Sequence, residues 1–189
     1  MTVLADNCIE GNAHGTRSIH NYFYRDIPRA DGIEIHQHYI ENPHDSSVYS
    51  PIPLVEANLY LNDYFQTEKY FLNIKDRILS QYAFPELLQD SYNSCYPQLH
   101  KSPFIHIRRG GYLTRPIHSV DLEPYYEKTI SMFPPDTHFF VFSNDLPYCR
   151  NYPLFKNMGV TFVDKNEVET LWLMSLCNDA VCANSSLSW

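Results

Sequence analysis

The stretch Phe104–Pro116, FIHIRRGGYLTRP, places Arg108 and Arg109 directly behind an alternating apolar and polar run and in front of Gly110-Gly111. The alternation predicts a strand, and the glycine pair predicts a turn at its end. Each guanidinium can make a planar, two-pronged contact with a phosphate, and a glycine turn lets the backbone approach it closely. Neighbouring strand residues point to opposite faces, so one arginine is placed to meet an anion and the other to brace the loop. A surface turn with two solvated arginines has the same composition.

Two further polar clusters follow apolar runs. Asp145 comes after THFFVFS, where a carboxylate can accept two N–H bonds from a guanine edge or cap the next helix. Ser185 and Ser186 open a predicted helix after DAVCA, where hydroxyls and free backbone N–H groups can hold an anion or serve as caps. His36 and His38 share one face of the run IEIHQHYI, which is half of a metal site or a solvated strand face; no third ligand stands at a fixed spacing. No Asp-x-Asp occurs, so a pyrophosphate would be neutralised by arginine and helix ends rather than by a carboxylate-held Mg²⁺. Gly-x-Ser-x-Gly, P-loop and Gly-x-Gly-x-x-Gly motifs are absent as well.

The elements that position these groups are most regular after Pro103. FIHIR, THFFVFS, GVTFVD and DAVCA read as strands. Between them DLEPYYEKTISMF, opened by Asp121 as N-cap, and EVETLWLMSLC read as helices. Near-continuous apolar strands alternating with helices predict βαβ units and a parallel sheet covered on both faces. Ligands bind beyond the carboxyl ends of such strands, and the arginine loop, Asp145 and the two serines all fall at that edge. The fold expected is α/β, with residues 99–189 forming a parallel-sheet domain. Residues 1–98 form a separate region: 1–50 carry no assignable pattern beyond a strand over Ile33–Ile40, and 54–90 read as helical, with Thr67 as a cap and Tyr70, Ile74, Ile78 and Tyr82 at helical spacing.

The bulk composition narrows the function. Lys and Arg number 14 against 22 Asp and Glu, a net charge of −8, which opposes a nucleic-acid surface or a polybasic membrane patch. The arginine pair is a local feature of an acidic chain. Five cysteines without a Cys-x-x-Cys suggest neither a disulfide framework nor a zinc site. No stretch approaches the roughly 20 apolar residues of a membrane span. If the chain is complete it is expected in the cytoplasm; a membrane-associated or Golgi-type location would need an anchor from a segment outside it.

Taken in order, YFQTEKYF (Tyr64–Phe71), HIRRGGY (His106–Tyr112), Tyr125-Tyr126, FFVFSNDLPYC (Phe139–Cys149), LMSLC (Leu173–Cys177) and ANSSLSW (Ala183–Trp189) resemble the α-1,2-fucosyltransferase family of inverting glycosyltransferases. The resemblance covers residues 59–189. It implies a GT-B-type architecture with a Rossmann-like donor domain in the C-terminal half, incomplete where the chain stops at Trp189. It also implies transfer of L-fucose from GDP-β-L-fucose to a sugar hydroxyl, on a glycan ending in galactose, with inversion and without metal or cofactor. By the same resemblance His106 and Arg108 would serve the guanine side and the pyrophosphate, with Arg109 beside them in the donor site. Asp145 would read the guanine, and Ser185 and Ser186 would line the phosphate site. The family pattern Arg-Arg-Gly-Asp is broken by Gly111, which removes a carboxylate near the acceptor hydroxyl. Asp121 and Glu123 stand in the same connection, but the sequence names no catalytic base. A non-catalytic nucleotide-sugar-binding remnant is the alternative expectation.

Overall fold

A computed structural model of the chain describes residues 32–41, 48–63, 65, 67–83, 86–116 and 118–189, which fall in two units, Met1–Ala83 and Phe84–Trp189. Tyr64 and Gln66 of the first motif, and residues 1–31, lie outside the described residues.

In the first unit, strand β1 (Gln37–Tyr39) pairs in parallel with β2 (Leu59–Leu61), Gln37 opposite Leu59. The strand expected over 33–40 is therefore confined to three of its eight residues, 37–39. Strand β2 corrects the helical reading of 54–90: its three residues are too short a run to reveal a period of two. The rest of that stretch is helical but broken. Single 3₁₀ turns at Glu68–Tyr70 and Leu72–Ile74 precede helix α1, Lys75–Gln81, and the Thr67 hydroxyl accepts from Lys69 N–H at the first of them. The His36 and His38 pair is occupied locally. Asn58 N–H donates to His36 Nδ1 at 3.4 Å, and the His38 ring lies 5.3 Å from that of Tyr60. Among the described residues no group of three His, Cys, Asp or Glu could hold a metal ion.

The second unit is built on four parallel strands: β3 (Phe104–Ile107), β4 (His138–Ser143), β5 (Gly159–Val163) and β6 (Ala180–Val181), in the order β5-β4-β3-β6. Phe104 lies opposite Phe140 and Ala180, and Ile107 opposite Ser143, so β3 and β4 end level. Numbered within this unit the order is 3-2-1-4, that of one half of a doubly wound sheet, whose switch point lies between β3 and β6. Helix α2 (Glu86–Cys95) belongs to this unit, so the division falls ahead of the boundary drawn at 98/99 from the sequence.

Alternation along the strands supplies two cores. Ile105, Ile107, Phe139 and Val141 pack with Tyr126 of α3 (Glu123–Ile130) and Cys149 of α4 (Leu146–Asn151). Phe104, Phe140 and Phe142 pack with Tyr92 of α2 and with Leu173 and Met174 of α5 (Glu167–Leu176). Both faces are thus covered, which is why these strands read as unbroken apolar runs. Tyr92 donates its hydroxyl to the Glu169 carboxylate and fastens α2 to α5. Burial pushes the Tyr92 hydroxyl pKa up, as does the bond to Glu169. Helix α5 opens with a capping box between Asn166 and Glu169, and α3 carries Pro124 in its first turn. Asp121 accepts from Glu123 N–H at 3.0 Å, one residue ahead of the geometric cap, Leu122. Among the described residues no helix is long and apolar enough to cross a membrane.

Candidate functional site

Beyond Ile107 the chain leaves the sheet as Arg108 and Arg109 and closes into a 3₁₀ turn, Gly110–Thr114. Gly110 adopts φ +59°, the left-handed region that glycine enters without strain. A cleft opens beside this turn, lined by Arg108, Arg109, Tyr112, His118, Asp121, Glu123, Tyr126, Tyr148, Tyr152 and Asn184 among others. It lies at the carboxyl end of β3 and reaches the segment after β6, hence at the switch point of the sheet.

The two arginines have separate fates. Arg109 Nε donates to Asp145 Oδ2 at 3.1 Å, and its guanidinium lies 3.4 Å from the centre of the Tyr148 ring. Arg108 Nε is buried and has no hydrogen-bond partner among the described residues; its guanidinium stands 5.3 Å from the Tyr112 ring. A buried, unpaired guanidinium N–H is costly unless something accepts from it. Tyr112 in turn stacks on His118 at 4.5 Å, and the His118 carbonyl accepts from Asn184 Nδ2 at 3.1 Å. An arginine, a tyrosine and a histidine therefore run in sequence along one wall.

His106 lies behind this wall, 2% exposed, with Nδ1 unpartnered among the described residues. Burial, with the nearby Arg108 charge, lowers its pKa to about 4, so it is neutral at pH 7. Its carbonyl accepts from the Tyr126 hydroxyl at 3.0 Å, a hydroxyl whose pKa burial has raised. Burial also raises that of Tyr152, with the Glu123 carboxylate adding to the effect.

Of the six residues singled out in the sequence, the structure brings Arg108 and Arg109 to the cleft. His106 is buried behind it. Asp145 uses both oxygens within the protein: Oδ1 accepts from Tyr148 N–H at 3.1 Å as the cap of α4, and Oδ2 takes Arg109. Ser185 and Ser186 do not open a helix; they lie in a turn in which the Ser185 carbonyl accepts from Ser188 N–H. Asn184 is the member of that motif that reaches the cleft. Gly111 is not among the lining residues, and a Cβ there would meet nothing within 4 Å. The carboxylates that do line the cleft are those of Asp121 and Glu123. The sequence assigned no role to Tyr112, His118 or Asn184, because no local pattern shows that Tyr112 stacks on His118 or that Asn184, beyond β6, reaches the His118 carbonyl.

A parallel 3-2-1-4 sheet with a cleft at its switch point, and an arginine there whose Nε has no partner among the described residues, defines an α/β domain of the doubly wound kind. The sequence matches Glycosyl transferase family 11 over residues 17–189, and the chain belongs to that family, the α-1,2-fucosyltransferase family its motifs resemble. It is 31% identical to the Alpha-1,2-colitosyltransferase of Escherichia coli over 138 residues, 67% of this chain and 48% of that protein. It is 30% identical to the O-antigen biosynthesis glycosyltransferase WbnK of Escherichia coli over 155 residues, 71% of this chain and 50% of that protein. The chain spans about half the length of the curated relatives it matches. No solved structure gives a significant match.

Proposed function

We propose that this chain carries the donor site of an inverting, metal-independent glycosyltransferase that moves L-fucose from GDP-β-L-fucose to a hydroxyl of a galactose-ended glycan. The observation that carries the reading is Arg108, whose buried Nε stands unpaired among the described residues at the carboxyl end of β3 in a member of glycosyl transferase family 11. A diphosphate oxygen satisfies that donor and accepts charge-assisted hydrogen bonds from the guanidinium. The acceptor oxygen attacks C1 of the sugar, and the C1–O bond to the diphosphate breaks with its electron pair leaving on GDP. The acceptor proton passes to a carboxylate of the cleft, Asp121 or Glu123. His106 backs Arg108 as a neutral group and leaves its charge undiminished. On this reading Asp145 exchanges the Arg109 contact for the N–H groups of guanine, and Ser185 and Ser186 would serve the phosphates only by a shift of the turn that follows Asn184, the member of their motif in the cleft. For the sugar, a colitosyl group is the second reading, favoured by the name of the Escherichia coli relative.

The test is thermal unfolding with GDP, ADP and GDP-fucose, each with EDTA and with Mg²⁺, followed by GDP release with β-galactoside acceptors. At a hundred times its dissociation constant GDP should stabilise by about 2.7 kcal/mol. The reading is overturned by a flat response to millimolar GDP; binding that needs Mg²⁺ overturns its metal-free part.

A further inference from the structure

Asn144 stands at the carboxyl end of β4, next to the arginine loop. Its Oδ1 accepts a hydrogen bond from Arg109 N–H at 2.9 Å. Its Nδ2 lies so near Gly110 that a Cβ added to that glycine would fall 2.5 Å from it. One side chain therefore holds the Arg109 amide and fills the space where a Cβ of residue 110 would stand. The register explains how it gets there: Ile107 lies opposite Ser143, so the strands end level and the next residues, Arg108 and Asn144, leave the sheet side by side. Ser143 Oγ accepts from Asp145 N–H at 2.9 Å and bends the chain at this point.

We infer that Asn144 is a positioning residue for the anion site, fixing the Arg109–Gly110 backbone so that Arg108 lines the cleft and Arg109 turns to Asp145. The inference rests on the reading of Arg108 as a diphosphate contact. The physical reason is preorganisation. Asn144 and Gly110 are exposed, so without the amide, water can take up the Arg109 N–H and global stability changes little. The loop then samples orientations in which Arg108 misses the ligand, and binding must select the competent one. Gly110 belongs to the same device, since its lack of a side chain admits the amide.

The experiment measures GDP affinity by calorimetry, melting temperature and hydrogen exchange at the Arg109 amide, for the unmodified chain and for Asn144→Ala, Asn144→Asp and Gly110→Ala. Asn144→Ala should weaken GDP about fivefold or more, the equilibrium equivalent of one hydrogen bond, with the melting temperature nearly unchanged and the Arg109 amide exchanging fast. Asn144→Asp keeps an acceptor for Arg109 N–H and should restore protection of that amide, while its negative charge beside the anion site keeps GDP affinity below that of the unmodified chain. Gly110→Ala should weaken GDP, and adding Asn144→Ala to it should cost less than the sum of the two. Unaltered GDP affinity in Asn144→Ala, or loss of amide protection in Asn144→Asp, overturns the positioning role alone. Failure of the unmodified chain to bind GDP overturns the nucleotide reading and this role with it.

Discussion

Arg109 and Asp145 hold one another across the ends of β3 and β4, Nε to Oδ2 at 3.1 Å, while Arg108 one residue earlier keeps a buried Nε without a partner among the described residues. Two adjacent arginines thus differ in their surroundings: one is paired with a carboxylate, and the other, among the described residues, is not.

Arg108→Ala should therefore damage GDP binding more than Arg109→Ala. Removing a charged hydrogen-bonding partner of the diphosphate should cost about 1.5–3 kcal/mol of binding free energy. Arg109→Ala should act chiefly on the loop and on Asp145. Calorimetric titration of both variants checks this, and equal losses with folding intact would reject the division of labour.

Asp145 should show two separable effects. Asp145→Asn keeps an acceptor for the Tyr148 N–H but loses the ion pair, and a partly exposed pair of this kind is worth less than about 1 kcal/mol. Asp145→Ala also loses the cap and should cost about 0.5–2 kcal/mol of stability. If Asp145 also reads guanine, both variants should narrow the preference for GDP over ADP. Denaturant melts alongside GDP and ADP titrations separate the structural effect from the selective one.

The buried His106 makes the second unit acid-sensitive. Its folded pKa of about 4 lies below the ordinary 6.5, so between those values the unfolded chain holds the extra proton. Stability from this group is fully present above about pH 6.5 and falls as pH drops toward 4, by about 3 kcal/mol in all. His106→Leu should lose less stability than the unmodified chain between pH 7 and pH 4.5. Parallel acid-dependent melts would refute this by showing the same loss in both.

Tyr92→Phe should cost about 1–2 kcal/mol, because it leaves the Glu169 carboxylate without the hydroxyl that joins α2 to α5. Burial raises the Glu169 pKa, but the Tyr92 hydroxyl, the Asn166 backbone and Lys165 outweigh it and hold the carboxyl below its usual range. That contribution is present above the ordinary carboxylate pKa and is lost as pH falls through the lowered one. Chemical denaturation of Tyr92→Phe and Glu169→Gln at pH 7 tests the link; stability equal to the unmodified chain in both would remove it.

Much of the second unit could be read from its residues alone. Strands of Phe, Ile and Val without interruption have to be covered on both faces, and the helices between them have to run the chain back, so a parallel sheet follows from the pattern. The arginine–glycine turn was legible for the same local reason: an apolar alternation that runs into two arginines and two glycines marks the end of a strand. The different surroundings of Arg108 and Arg109 come instead from the packing of Asn144 and Asp145. Strand β2 was not legible, because three residues carry no period. Nor could the sequence decide what Asp145 does, since capping and ligand reading ask for the same carboxylate; the 3.1 Å contacts to Tyr148 N–H and Arg109 Nε are facts of packing. The same holds for Asn144 beneath Gly110, which depends on two strands ending at one level so that Arg109 and Asn144, 35 residues apart, meet. Gly111 is a missing carboxylate by pattern, yet it faces open space, and the loop carries Asp121 and Glu123 into the wall of the cleft instead. Local chemistry selected which residues could act. Strand register and the path of one loop decided which of them stand together.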